Sequence, residues 1–295
     1  MNKTTSKKIK FICLPGGGTS SVVFYKWFGL LNPEYRPSFI DLPGRGLRKK
    51  EEPLTNIEDI TSDLFNGLKS ILDRQRDEEY VLFGYCMGAI FLYELIKKIK
   101  KEGLKSPSHV FIAAADVPYG DMYKIPFLDN PTTKNQFYDL IKSCFPEHTF
   151  PDNATMQTFR KTFVDIIYQK YEETSDVVVV TTNDLRQAGC DENMLNSFEF
   201  TECLKLANDL MKILTIDCLI CSKYQEDGGE IQKLDCGVTC VTGSDDLLYP
   251  KEIMNSWKNY TNKDCIVHVV NGGHRILLDP NLDAVSILND MSFVS

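Results

Sequence analysis

Histidine and tryptophan are scarce in this chain of 295 residues, numbering four and two. Basic residues are also outnumbered, 33 Lys and Arg against 41 Asp and Glu, for a net charge of −8. That acid excess argues against nucleic acid as a main partner. No apolar run is longer than a strand, so no membrane span is expected. Met1–Lys10 is polar and basic with no apolar stretch behind it, so no secretory leader is expected either. The chain has no internal repeat, no low-complexity tract, no Gly-Lys-Ser/Thr phosphate loop and no full G-x-G-x-x-G, which argues against dinucleotide binding. Its ten cysteines are scattered. Cys218-Leu219-Ile220-Cys221 has no second Cys/His pair at a metal-site distance, so buried thiols are expected there, with no metal and no cofactor of the protein's own. Reduced thiols and a cytoplasmic location follow as expectations.

What is present is a chain that is 43% hydrophobic and organised as strands alternating with helices. Ile9–Leu14, Ser38–Leu42, Tyr80–Phe83, His109–Ala115, Gly237–Thr242 and Cys265–Val270 read as strands. Ile57–Arg74, Ala89–Ile99, Ile253–Tyr260 and Ala284–Met291 read as helices, with Thr55 or Asn56 capping the first. Continuous apolar strands separated by helices predict an α/β fold, a mostly parallel sheet with helices on both faces. The pattern changes over residues 116–234. There Asn135–Cys144, Thr155–Glu173 and Glu202–Leu214 read as amphipathic helices, and Val177–Val180 reads equally as a strand or a loop. Residues 1–115 and 235–295 are therefore expected to form the core, and 116–234 a helical lid inserted over the carboxyl edge of the sheet, where ligands bind in open α/β folds.

The most informative residues are Gly84-Tyr85-Cys86-Met87-Gly88. They join an apolar strand to a helix in the G-x-nucleophile-x-G pattern of the α/β-hydrolase elbow, with cysteine at the nucleophile position. Gly243-Ser244-Asp245-Asp246 and Gly272-Gly273-His274 follow the next two strands, which completes the chain order nucleophile, acid, histidine. Histidine would take the proton from Cys86, and a carboxylate would hold the imidazole tautomer. Asp246 suits that role better than Asp245, which reads as a turn residue. His274 is preferred over His109 and His268, which lie in or beside apolar strands, and over His148 in the insertion. Oxyanion donors are expected from the backbone N–H of Met87 and of Gly17, in Pro15-Gly16-Gly17-Gly18.

With these pieces, the chain resembles the type II thioesterases of nonribosomal peptide and polyketide assembly lines. The match rests on Cys13–Gly18, Asp41-Leu42-Pro43-Gly44-Arg45-Gly46, Leu82–Ala89, Gly243–Asp246 and Gly272–His274. The resemblance implies the α/β-hydrolase fold and removal of acyl groups from the phosphopantetheine arm of an acyl or peptidyl carrier protein. It assigns catalysis to Cys86, Asp246 and His274, and the oxyanion hole to Met87 and Gly17. Where the family has Gly-His-Ser-Met-Gly, this chain has Gly-Tyr-Cys-Met-Gly, and residues 174–234 exceed the family pattern. An acyl group on sulfur stays activated toward amines, so transfer to an amine or internal nucleophile stands beside hydrolysis. A general α/β-hydrolase acting on small esters or lactones is the competing enzyme reading, and a non-catalytic binding subunit is the third. Arg45, Arg48, Lys49 and Lys50 read equally as a docking patch for an acidic carrier and as solvated surface. Phe127, Phe137, Phe145 and Phe150 are candidates for an acyl channel or for core.

Overall fold

The strands β1 (Ile9–Leu14), β2 (Tyr35–Phe39), β3 (Tyr80–Tyr85), β4 (His109–Ala113), β5 (Gly237–Gly243) and β6 (Cys265–Val270) pair in the order β2-β1-β3-β4-β5-β6. Every pairing is parallel. This is a computed structural model, and it describes residues 8–27, 29–74, 79–120, 138, 141–142, 144–145, 147–174, 178–277, 283–290 and 292. The central strands β3 and β4 are buried at every position, as continuous apolar runs require between two covered faces. The edges are different: β2 is buried only at Tyr35 and β6 only at Val270, and their other residues are partly or fully exposed. β2 begins three residues before the expected 38–42 and contains Pro37. An edge strand tolerates proline because one row of its N–H groups has no ladder partner.

The order of pairing fixes where a site can form. From β1 the chain moves outward to β2, then crosses to β3 on the other side of β1 and continues in that direction. The strand order therefore reverses between β1 and β3. The crevice at their carboxyl ends is the place where open α/β sheets bind ligands. The glycine loop after β1 and the elbow after β3 both emerge there.

Helix α1 (Ile57–Arg74) starts after Asn56, whose Oδ1 accepts the Asp59 N–H at 2.8 Å. Helix α2 (Gly88–Lys101) springs from the elbow and packs on β1 and β3, while α1 packs on α2. At the elbow, Cys86 has φ +52°, in the left-handed region that side chains rarely adopt. The flanking glycines permit this turn by close approach. A Cβ on Gly88 would stand 2.5 Å from the Pro15 carbonyl oxygen, and one on Gly84 2.7 Å from the Ala89 Cα. Gly88→Ala should therefore lower stability by about 1–3 kcal/mol in urea unfolding. An unchanged midpoint would show that the elbow relaxes freely.

The chain divides into two compact units, Met1–Lys124 with Leu219–Ser295, and Ile125–Cys218. The second unit contains α3 (Ala154–Thr174), α4 (Thr182–Gln187), α5 (Glu192–Leu195) and the first two-thirds of α6 (Phe198–Asp227). Thr181 and Asp184 form a capping box on α4, and Asp191 caps α5. Residues 178–180 are irregular. Asn208 of α6 holds them by accepting the Val180 N–H and donating to the Val180 carbonyl, at 2.8 and 2.9 Å. Phe145 packs against Phe150, Phe159 and Phe200 with ring centroids 4.9–5.6 Å apart, which makes it part of an aromatic core. The helix expected over 135–144 falls largely outside the described residues, as do Phe127 and Phe137. The last helix of the first unit, α8 (Asp283–Leu288), packs on β6 after the short α7 (Lys251–Met254).

Two connections of the first unit converge on α2. Tyr224, near the end of α6, donates its hydroxyl to Glu94. Lys97 pairs with Glu94 at 2.7 Å and reaches the Tyr119 hydroxyl at 3.4 Å. The Tyr119 and Tyr224 rings stack 5.0 Å apart. The chain is thus pinned to one helix at residue 119 and again at residue 224.

Candidate active site

Cys86 is held in the elbow by its own backbone: its N–H donates to the Ala113 carbonyl at 2.9 Å, and its carbonyl accepts from Ala89 at 3.0 Å. Its side chain is partly exposed and stands beside His274, whose protonated form it favours. His274 Nδ1 lies 3.1 Å from Asp246 Oδ2. With the Nδ1 proton donated to that carboxylate, Nε2 is left for the thiol. Asp246 is oriented in turn, because its other oxygen accepts the Leu248 and Tyr249 N–H groups at 2.9 and 3.1 Å. Asp246 is only 3% exposed, whereas Asp245 faces solvent. The turn after β5 therefore aims one carboxylate inward and the other outward.

The electrostatics of His274 are dominated by opposed effects. Burial disfavours the imidazolium, but the Cys86 side chain and the Asp246 carboxylate favour it more, and the balance pushes the pKa up to about 10. A proton is thus stored on the ring across the neutral range. His109 behaves in the opposite way. It is buried at the amino end of β4 beside Thr239, and burial holds it at about 4, neutral and remote from the elbow. His268 sits within β6 and His148 in a turn of the second unit. His274 is the histidine that stands beside Cys86.

The loop after β1 lies against the elbow. A Cβ on Gly16 would come within 3.2 Å of the Cys86 Cβ, which makes Gly17 a neighbour of the nucleophile. Thr19 closes this loop by donating through its N–H and Oγ1 to the Gly16 carbonyl, at 3.2 and 2.7 Å. The Met87 N–H sits at the start of α2 and donates to no group among the described residues. Asp41 is buried, and its carboxylate accepts the Ser21 N–H, the Ser21 hydroxyl and the Leu47 N–H at 2.7, 3.1 and 2.8 Å. The Asp-Leu-Pro-Gly-Arg-Gly stretch therefore ties the far end of the glycine loop to the turn after β2.

A family model, the thioesterase domain, matches residues 10–290. The chain belongs to the thioesterase family. This thioesterase is 21% identical to the gramicidin S biosynthesis protein GrsT of Aneurinibacillus migulanus, over 97% of its own length and 90% of the relative's. It is 22% identical to the human medium-chain S-acyl fatty acid synthase thioesterase, over 94% and 84%. Among solved structures it resembles RedJ, the thioesterase of the prodiginine pathway in Streptomyces coelicolor, with a TM-score of 0.63, 22% identity and coverage of 95% and 85%. The fold is that of the α/β-hydrolases.

The basic cluster of this thioesterase is less available than its sequence implies. Arg45 is buried, and Arg48 is engaged by Glu51 and Asp63 at 2.6 Å each. Lys49 and Lys50 remain exposed. None of the ten cysteines is in a disulfide, and Cys218 and Cys221 are buried in α6. Among the described residues no helix is long and apolar enough to cross a membrane. Two aromatic neighbours of His274 were not anticipated: Tyr85 and Tyr249, whose ring centroids lie 5.4 and 5.3 Å from the imidazole. The departure from histidine at position 85 was the one visible cue.

Proposed function

We propose that this thioesterase takes an acyl group from the phosphopantetheine thioester of a carrier protein onto Cys86, and releases it to water or to an amine. The observation that carries the reading is His274, bonded to Asp246 on one side with Cys86 beside it on the other. In the proposed cycle the thiol proton already rests on His274 Nε2, and Sγ attacks the thioester carbonyl. The Met87 and Gly17 N–H groups stabilise the oxyanion. The carbon–sulfur bond to pantetheine then breaks, and His274 returns the proton to the departing thiol. Water or an amine attacks the acyl–Cys86 thioester and gives a proton to His274, and the carbon–sulfur bond to Cys86 breaks with that proton kept on the ring, which restores the starting pair. Only side chains and backbone act, with the pantetheine arm arriving as substrate. Residues 116–234 are assigned the gating role expected of a helical insertion.

Exchange of one thioester for another is nearly thermoneutral, so the acyl group stays reactive toward amines after the first step. The relatives named for gramicidin S and prodiginine support a place in secondary metabolism. Intact-mass spectrometry with a panel of acyl-pantetheine and carrier-bound thioesters tests the reading. A mass adduct on Cys86 is expected, decaying faster when an amine is added and yielding an amide. Turnover of free esters alone, without a Cys86 adduct from any thioester, would refute it. Rapid hydrolysis with no amide formed would leave a hydrolase and remove the transfer branch.

A further inference from the structure

The loop that carries His274 has no regular structure, so its position depends on individual bonds. Two lie upstream of the histidine: the Ser244 N–H donates to the Val270 carbonyl and the Asp245 N–H to the Gly272 carbonyl, each at 2.8 Å. The bond at His274 itself comes from Tyr85, whose hydroxyl donates to the His274 carbonyl at 2.9 Å. The same tyrosine lays its ring against the imidazole at an interplanar angle of 25°. Tyr85 is the last residue of β3 and is 5% exposed. Gly16 makes its place, since a Cβ there would come within 3.0 Å of the ring. One side chain thus fixes both the backbone and the plane of the histidine, and it is joined covalently to the nucleophile.

We propose that Tyr85 is the positioning residue that holds His274 against Cys86. This rests on the reading of Cys86 and His274 as nucleophile and base, and it assigns Tyr85 no contact with the acyl group. The groups facing His274 are Cys86 from the elbow, Asp246 and Tyr249 from the turn after β5, and Tyr85 from β3, with Arg275 next in the chain. Burial raises the Tyr85 hydroxyl well above its ordinary range, so it stays a neutral donor wherever the enzyme is stable. A stacked π face also favours the protonated ring. Tyr249 supports the imidazole with its own ring, 43° from parallel, and is tethered by Thr242, whose hydroxyl donates to its carbonyl at 2.6 Å.

The test uses the full chain with Tyr85→Phe, which keeps the ring and loses the hydroxyl, and Tyr85→Leu, which loses both. Turnover of a hexanoyl-N-acetylcysteamine thioester is followed from pH 6 to 11, and iodoacetamide labelling of Cys86 is read by peptide mass. Tyr85→Phe should lower kcat about tenfold and Tyr85→Leu about a hundredfold, the scale of an ångström-sized misplacement. KM should stay within about twofold, as expected when only the chemical step loses stabilisation. The alkaline fall in kcat should move to lower pH in both. A wild-type kcat and alkaline limb in both variants, or a rise in KM at constant kcat, would overturn the proposal. His274→Ala separates the two levels of inference. If it leaves Cys86 labelling unchanged, the reading of the pair fails. If it alters labelling while the tyrosine variants match wild type, only the positioning role fails. Should Tyr85→Leu not fold, Tyr85→Phe decides alone.

Discussion

Cys86→Ala is expected to abolish the acyl adduct and to lower kcat/KM for an acyl thioester by about 10⁴- to 10⁶-fold, the range seen when a nucleophile is removed from a site that works as a unit. Alanine fits the elbow, so the loss will not reflect unfolding. The companion variant Cys86→Ser is more informative about chemistry. Serine keeps a proton for His274 to take, but its acyl-enzyme is an oxygen ester, which is less reactive toward amines than a thioester. The ratio of amide to acid released should therefore fall in Cys86→Ser relative to wild type, measured by product chromatography at fixed amine concentration. Turnover by Cys86→Ala within tenfold of wild type would remove the nucleophile assignment.

Asp246→Asn should lower kcat by about 10³- to 10⁴-fold with little change in KM. The amide can still accept the Leu248 and Tyr249 N–H groups, so the turn survives. Toward His274, however, it can present N–H where the carboxylate presented a lone pair, which favours the wrong imidazole tautomer. The same substitution should lower the pH at which the imidazolium is lost. In wild type His274 titrates at about 10 rather than 6.5. A raised folded-state pKa contributes stability that is complete below about 6.5 and is lost as pH rises through about 10. Urea midpoints should therefore decline in wild type between neutral pH and pH 10, and Asp246→Asn should flatten that decline. Equal pH dependence in the two proteins would exclude the His274–Asp246 pair as its source.

Much of this arrangement was legible before any coordinates. The limits of β1, α1 and β6 agree with the sequence reading because strand-length apolar runs and an Asn cap are local devices. Asp246 was separable from Asp245 by its place in the turn after β5. Other features depend on partners distant in sequence. The sequence pattern places β2 later than its observed start at Tyr35, because Pro37 looks like a breaker until its edge position is known. α6 runs from Phe198 to Asp227, well beyond the expected 202–214. Its later half carries apolar residues on several sides, including Cys218, Ile220, Cys221 and Tyr224, which hides the helical period. The role of Tyr85 was invisible for a plainer reason: its partner lies 189 residues away.

The pins at Tyr119 and Tyr224 carry a consequence for how such a chain can diversify. Both grip Glu94 and Lys97 on the helix that begins at the elbow. In polymer terms the residues between them form a loop whose ends are already closed. Doubling the length of such a loop costs only about 0.6 kcal/mol of closure entropy. The length of chain between the pins can therefore change at little cost, while the geometry around Cys86 is inherited unchanged.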